Sequence, residues 1–471
     1  ACETAMNRTT AARLAQTETI WSMLHKTDAF PDKAFKEAWK NVILFSEHTW
    51  GASASGTDPH SKFTKDLWEG KKAYADNASN QSQILYKQAL SPLHVDKGGD
   101  FVHVLNTNLW NRTDVVFLDS MVNLNEKELI TRTGEKVETQ RLYDGRWAFV
   151  AENIPALSSE VYQIVSKKKS SRRFVSMIAE NKILNNGIVR VEIDEVKGTI
   201  SSFKRVGDSY EYASNSGLND YLYTGRYASD PQGIEQILNI RVLDDGAVAA
   251  TLRIESKAPG CNTLWRDVTV YKGIDRVDIC NTLDKQDILD FENVRFVFPF
   301  NIQQPEITMD LAMSEIHPER EQLEGVNKHY YSLQNGLAVG DLEHAVCLTT
   351  VDAPFVELGS PSGLDYRLNP RHGYGWWQSA KISPIVYSWV MTNTWRTNYK
   401  ASQGGTAKFR YSLQPCNPLD LKLKQRGAER EMELVAVASR SSQNIEQLFR
   451  LKGRHRIALS SIKPADDGKG Y

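Results

Sequence analysis

The hydrophobic period of this chain changes once, near Val95, and does not change back. Up to about Leu90, apolar residues recur at helical spacing. Leu14, Trp21 and Leu24 come first, then Phe35, Ala38, Trp39 and Val42, then Phe63, Leu67, Trp68, Tyr74, Ile84 and Leu85. Residues at that spacing share one face of a helix. Ser61 is the expected N-cap of the third helix and Pro92 its stop. Three helices joined by short links predict an antiparallel bundle over 1–93. Beyond Val95 the runs alternate, as in Phe101-Val102-His103-Val104-Leu105 and Trp147-Ala148-Phe149-Val150, which predicts a small β-sandwich domain over 94–168. The basic, serine-rich stretch 166–173 then reads as a solvated linker, with a phosphate-binding patch as the alternative. Strand-like runs continue almost without helix, among them 187–193, 249–254, 268–271 and 276–279. That density predicts a large antiparallel β-sandwich over 169–471. The fold class is α+β multidomain.

Composition narrows the partners. The 471 residues carry a net charge of −1, with 41% hydrophobic and 24% charged residues, so neither nucleic acid nor an anionic membrane is favoured. No apolar run has the length of a bilayer span. The five cysteines are scattered with no CxxC pair, which argues for buried free thiols; Cys261 and Cys280 are candidates to face each other across strands. The chain opens Ala1-Cys2-Glu3 and closes Gly468-Lys469-Gly470-Tyr471, so a piece of a longer protein is expected.

The residue types that carry chemistry gather where the second helix should stop. The apolar run 39–45 is followed by Glu47-His48-Thr49-Trp50-Gly51. Glycine just past a helix accepts positive φ and turns the chain. An imidazole fixed at that point, His48, suits a metal ligand or an acid/base group; the alternative is a histidine that satisfies the last helix carbonyls. The following loop, 51–60, is small and polar, which suits close approach to another body. Late in the chain, Trp376, Trp377, Trp389, Trp395 and Tyr399 form an aromatic cluster, either sandwich core or, where exposed, platforms for sugar rings.

Four strings in this order resemble the middle and C-terminal regions of glycoside hydrolase family 38 α-mannosidases. They are Phe45-Ser46-Glu47-His48-Thr49-Trp50-Gly51; Leu105-Asn106-Thr107-Asn108-Leu109-Trp110-Asn111-Arg112-Thr113-Asp114; Leu184-Asn185-Asn186-Gly187-Ile188-Val189-Arg190-Val191; and Trp395-Arg396-Thr397-Asn398-Tyr399-Lys400-Ala401. The resemblance covers essentially the whole chain. It implies a three-helix bundle, a small β domain and a large, galactose-mutarotase-like supersandwich. It also implies a preceding catalytic domain that holds the nucleophile and most ligands of a zinc ion, and that this chain lacks.

On this resemblance His48 matches the zinc ligand supplied by the bundle, in the parent protein; one imidazole does not hold zinc by itself, so this chain alone is expected to bind none at His48. Many members have His-Asp at this turn, where this chain has His48-Thr49, which puts mannose specificity in question. Thr49 and Trp50 are then expected at the substrate, with Glu47 orienting the imidazole from behind. Tyr221 matches a sandwich tyrosine that reaches the sugar, and is otherwise a core residue. The implied activity is retaining hydrolysis of α-mannosides or related glycosides, with a carbohydrate and the missing domain as partners. Bacterial periplasm, cell surface and cytoplasm all suit such a protein. The rival readings are a non-catalytic carbohydrate-binding scaffold, or a polysaccharide lyase or sugar epimerase. A lyase needs residues such as Tyr221, His329 and Arg371-His372 to converge in a groove of the sandwich.

Overall fold

The structure is a computed structural model and describes residues 1–25, 30–47, 52–95, 99–119, 122–167, 175–180, 182–225, 230–311, 314–361, 379–394, 398–449 and 462–465. Three helices come first: α1 (Cys2–Leu24), α2 (Asp32–Ser46) and α3 (Lys62–Leu90). The Ser61 hydroxyl caps α3 by accepting the Thr64 N–H at 3.3 Å. Leu14 of α1, Phe35, Ala38 and Val42 of α2, and Ala78 and Leu85 of α3 form the bundle core.

The second half of α1 departs from a one-faced helix, because every residue from Gln16 to Met23 is buried. This helix packs against α2 and α3 on one side and against the β domains on the other. Most of its polar side chains are matched, some on their own helix and some across to neighbours, such as Gln16, whose amide donates to Thr107 and the Glu433 carbonyl. Thr17, Thr19 and Ser22 bond the carbonyls four residues back, and Glu18 accepts the Trp39 indole N–H at 2.9 Å.

The small β domain packs a five-stranded sheet on a three-stranded one around Val102, Val116, Leu129, Phe149 and Tyr162. Its boundary differs from the one expected. The strand Val435–Ser439, placed by sequence in the large domain, pairs antiparallel with Phe101–Asn106 in the small one, from Phe101↔Ser439 to Leu105↔Val435. The chain thus leaves the small domain, builds the large sandwich and returns to close the sheet it left.

The large domain stacks a nine-stranded antiparallel sheet on a five-stranded one, with a four-stranded sheet beside them. Val277–Lys285 shows the alternation behind this: every second residue is buried. Its two polar inward residues are matched. Asn281 exchanges amide bonds with Asn219 at 2.7 and 3.0 Å, and Lys285 meets Glu292 at 2.7 Å. Cys261 and Cys280 do not face each other, since Cys261 lies opposite Lys285 and Cys280 opposite Asp267. The linker residues 168–174 lie outside the described residues.

A short helix, α4 (Leu423–Glu431), sits where bundle and both β domains meet. Gly427 lets it approach closely, because a Cβ there would stand 2.3 Å from Asn335 Cβ. Beneath it, Arg276 holds Asp114 of the small domain at 2.9 Å and Asp278 of the large sheet at 2.8 Å. Arg112 holds Asp114 from the other side at 2.9 Å and donates to the Met432 and Glu429 carbonyls at 2.7 and 3.0 Å. Arg430 of α4 reaches Asp278 at 3.3 Å.

Burial pushes the Asp114 carboxyl up, but the Arg276 and Arg112 guanidiniums outweigh it and hold it down at about 2. A carboxylate depressed in the folded state stabilises fully above its unfolded value and loses that contribution as pH falls toward the folded one. Stability is therefore expected to decline between about pH 4 and pH 2. Asp114→Ala should cost about 3–5 kcal/mol at neutral pH, by leaving Arg112 with no carboxylate and Arg276 with Asp278 alone, and should flatten that acid slope. Urea denaturation at stepped pH checks both.

Candidate functional site

The C-terminal end of α2 is tied down by Lys71 of α3. The Lys71 ammonium, itself nearly buried, donates to the carbonyls of Leu44 at 2.8 Å and Glu47 at 2.9 Å, and lies 3.5 Å from the Glu47 carboxylate. A cation on the last carbonyls of a helix meets the negative end of its dipole. Glu47 thus belongs to the cap of α2. His48, Thr49, Trp50 and Gly51 lie outside the described residues. On their far side Ala52 is buried, and its carbonyl accepts the Asn398 N–H of the large sandwich at 2.9 Å. The segment 48–51 is therefore bracketed in sequence by two fixed points, Glu47 on the bundle and Ala52 reaching the sandwich.

Glu47 opens onto a cleft of about 550 Å³ between bundle and large sandwich. Thr4 of α1 and Phe45, Ser46 and Glu47 line the bundle side. Tyr330, Phe355, Trp389, Thr392, Tyr399 and Gln403 line the sandwich side. The aromatic wall is organised in depth. Trp389 is buried, gives its indole N–H to the Met391 carbonyl at 3.1 Å, and lies under the Arg295 guanidinium at 4.6 Å. Arg295 is paired in turn with the buried Glu357. Tyr330 packs edge-on against both Trp389 and Phe355. In front of this layer Phe355 and Tyr399 are 41% and 40% exposed. Partly exposed aromatic rings beside hydroxyl and amide groups suit a ligand with one apolar and one polar side, such as a pyranose ring.

A larger cavity, about 940 Å³, lies at the junction of α1, α3 and the small β domain. Several of its charges are already matched: Arg410 grips Asp352 and Arg430 meets Asp278. It does not reach the 47–52 turn, so the smaller cleft is the better candidate.

The other expected residues are placed as follows. Tyr221 is 0% exposed within the large-sandwich core, and its hydroxyl donates to the Pro259 carbonyl at 2.7 Å. Burial pushes its phenol well above the ordinary value. In this chain it is a core residue and lines neither cavity, so the sugar contact expected of it gives way to the core alternative. His329 precedes the cleft residue Tyr330, and burial holds its imidazole below the usual value. Of the residues a lyase would use, Tyr221 is buried in the core, and Arg371 and His372 lie outside the described residues. Of the late aromatic cluster, Tyr399 lines the cleft, Trp389 backs it, and Trp376, Trp377 and Trp395 lie outside the described residues. Phe355 was not singled out by sequence. Its signal was a phenylalanine directly after Pro354 at the start of a short strand, Phe355–Leu358.

Zinc takes three or four protein ligands in sites of either kind. Among the described residues no three His, Cys, Asp or Glu side chains converge. The described residues do not by themselves make a zinc site.

No protein-family model and no curated protein matches this chain. Solved structures do. An α-mannosidase from Enterococcus faecalis V583 superposes with a TM-score of 0.68 at 13% identity, over 92% of this chain and 56% of that one. A glycosyl hydrolase family 38 protein from Enterococcus faecalis superposes at 0.69 and 13% identity, over 93% of this chain and 59% of that one. No helix of the described residues is long and apolar enough to cross a membrane. This chain spans somewhat over half the length of the proteins it matches, and shares with that portion the fold of a family 38 glycoside hydrolase.

Proposed function

We propose that this chain is the bundle-and-sandwich part of a retaining glycoside hydrolase acting on α-mannosides or related glycosides, and that the 550 Å³ cleft forms one wall of its substrate site. The observation that carries this is the position of the cleft. It runs between Glu47, covalently next to His48, and the exposed rings of Phe355 and Tyr399. Retaining hydrolysis needs one carboxylate to attack the anomeric carbon and a second group to protonate the leaving oxygen. In this reading both come from outside this chain. The residues here bind and orient: Tyr399 and Phe355 stack on sugar faces, Thr392 and Gln403 meet hydroxyls, and His48, Thr49 and Trp50, next in sequence to Glu47, contribute from the bundle side. In the parent, His48 would add one donor to zinc ligands carried by another domain.

Titration with an α-linked mannobiose, followed by ligand-observed NMR, is expected to show weak saturable binding. The pair Tyr399→Ala and Phe355→Ala should weaken it about tenfold, roughly 1.4 kcal/mol. Binding indifferent to both substitutions, or no binding by the intact chain, removes the cleft from the proposal.

Zinc titration of this chain should give no stoichiometric site that His48→Ala abolishes; a tight site lost in that variant would mean that the ligands are all here. The proposal also needs a fixed turn. Lys71→Met leaves the Leu44 and Glu47 carbonyls without their donor, and should cost about 1–3 kcal/mol in urea denaturation. A neutral effect would mean that the turn stands without it.

A further inference from the structure

Two thiols from neighbouring strands touch directly beneath α4. Cys347 lies on Ala345–Thr350 and Cys416 ends Gly405–Cys416. Ala345 stands opposite Cys416 and Cys347 opposite Gln414, so the cysteines are diagonal neighbours on one face of the sheet. Their sulfurs are 3.2 Å apart. A disulfide needs about 2.05 Å, a closure of roughly 1.2 Å. Cys416 is free to supply that movement, because it is the last residue of its strand and the chain turns immediately after it, at Asn417–Asp420.

The surroundings give the two thiols different characters. Cys347 is 0% exposed and packs with Ala338, Ala345 and Leu423. Cys416 is 6% exposed and has cations on both flanks. Arg205 docks on the Pro415 carbonyl at 2.8 Å, and Arg426 on the Leu421 carbonyl at 3.2 Å. The contact between the two sulfurs lowers the Cys416 thiol below its ordinary value, with Arg426 and Arg205 acting the same way, and together with burial it raises the Cys347 thiol. A slightly open thiol near two arginines, which share the Asp275 carboxylate at 3.9 Å, beside a closed one divides the roles of attacking and resolving cysteine.

We propose that Cys347 and Cys416 are a redox-active dithiol that a hydroperoxide closes to a disulfide. The Cys416 thiolate attacks the peroxide: an S–O bond forms, the O–O bond breaks, and hydroxide leaves to be protonated to water. The Cys347 sulfur then attacks the Cys416 sulfenic acid: the S–S bond forms, the S–O bond breaks, and a second water departs with the Cys347 proton. The two thiols lose two electrons and the peroxide gains them. The bridge ties the strands on which α4 rests. In a reducing compartment the pair stays open, and in an oxidising one it stays closed.

The test treats the intact chain with hydrogen peroxide under native conditions, alkylates the remaining thiols and maps the unreduced digest. The expected result is a Cys347–Cys416 linked peptide, with the five thiols of the chain reduced by two and restored by dithiothreitol. In Cys347→Ala, Cys416 should stop at a sulfenic acid that dimedone labels, while Cys280→Ala should bridge as the wild type does. The proposal fails if Cys347 and Cys416 both remain alkylatable after unfolding of the treated protein, or if the linked peptide joins other cysteines. The wild-type map decides this even where a variant folds poorly.

Discussion

Asp114 is the point at which the small β domain is hung on the large one. It sits in the small β domain, shielded from water, and its two oxygens are taken by Arg112 of its own strand and Arg276 of the large sheet. The same Arg276 holds Asp278, which Ser412 also meets at 2.6 Å and Arg430 of α4 reaches from above. Three guanidiniums and two carboxylates thus interlock across elements far apart in sequence. Groups like these are costly to bury and tolerable only when each is matched, so the network specifies one relative placement of the domains. The bundle, which supplies one wall of the cleft, packs on both of these domains, through Leu105 and Val435 of the small one and the Gln334 carbonyl of the large one.

The same logic accounts for α1. A helix in contact with neighbours all round cannot show a clean apolar stripe, and α1 meets the requirement with hydroxyls that turn back onto their own helix. Arg8 continues it at the other end of α1, donating to the Gln334 and Val351 carbonyls of the large sandwich at 2.6 and 3.3 Å. The bundle is therefore seated on the sandwich by side chains that a one-dimensional pattern presents as surface residues.

Local signals were legible and distant ones were not. The change of period near Val95, the Ser61 cap and the end of α3 at Leu90 are matters of neighbouring residues, and the structure has them where the pattern put them. The pairing of Val435–Ser439 with Phe101–Asn106 was not legible, because alternation identifies a strand without naming its partner. Tyr221 has the same residue type and local setting as core or as ligand contact, and what separates the two is burial by strands not yet in view. Cys347 and Cys416 carry no telling spacing, since only the register of their sheet brings the sulfurs together. The aromatic side of the cleft was half visible: Tyr399 stood out in an aromatic-rich stretch, whereas Phe355 is identified only by its exposure.

The returning strand gives the chain an order of completion. His103 of the opening strand bonds the carbonyl of Ser441, 338 residues further on. The sheet of the small domain therefore waits, during synthesis, for nearly all of the large sandwich to emerge. Until then the Phe101–Asn106 strand has one side of its backbone unpaired, and the bundle packs against an unfinished neighbour. What looks in the finished molecule like three domains in series is, for the growing chain, a loop that closes only once the large sandwich has been made.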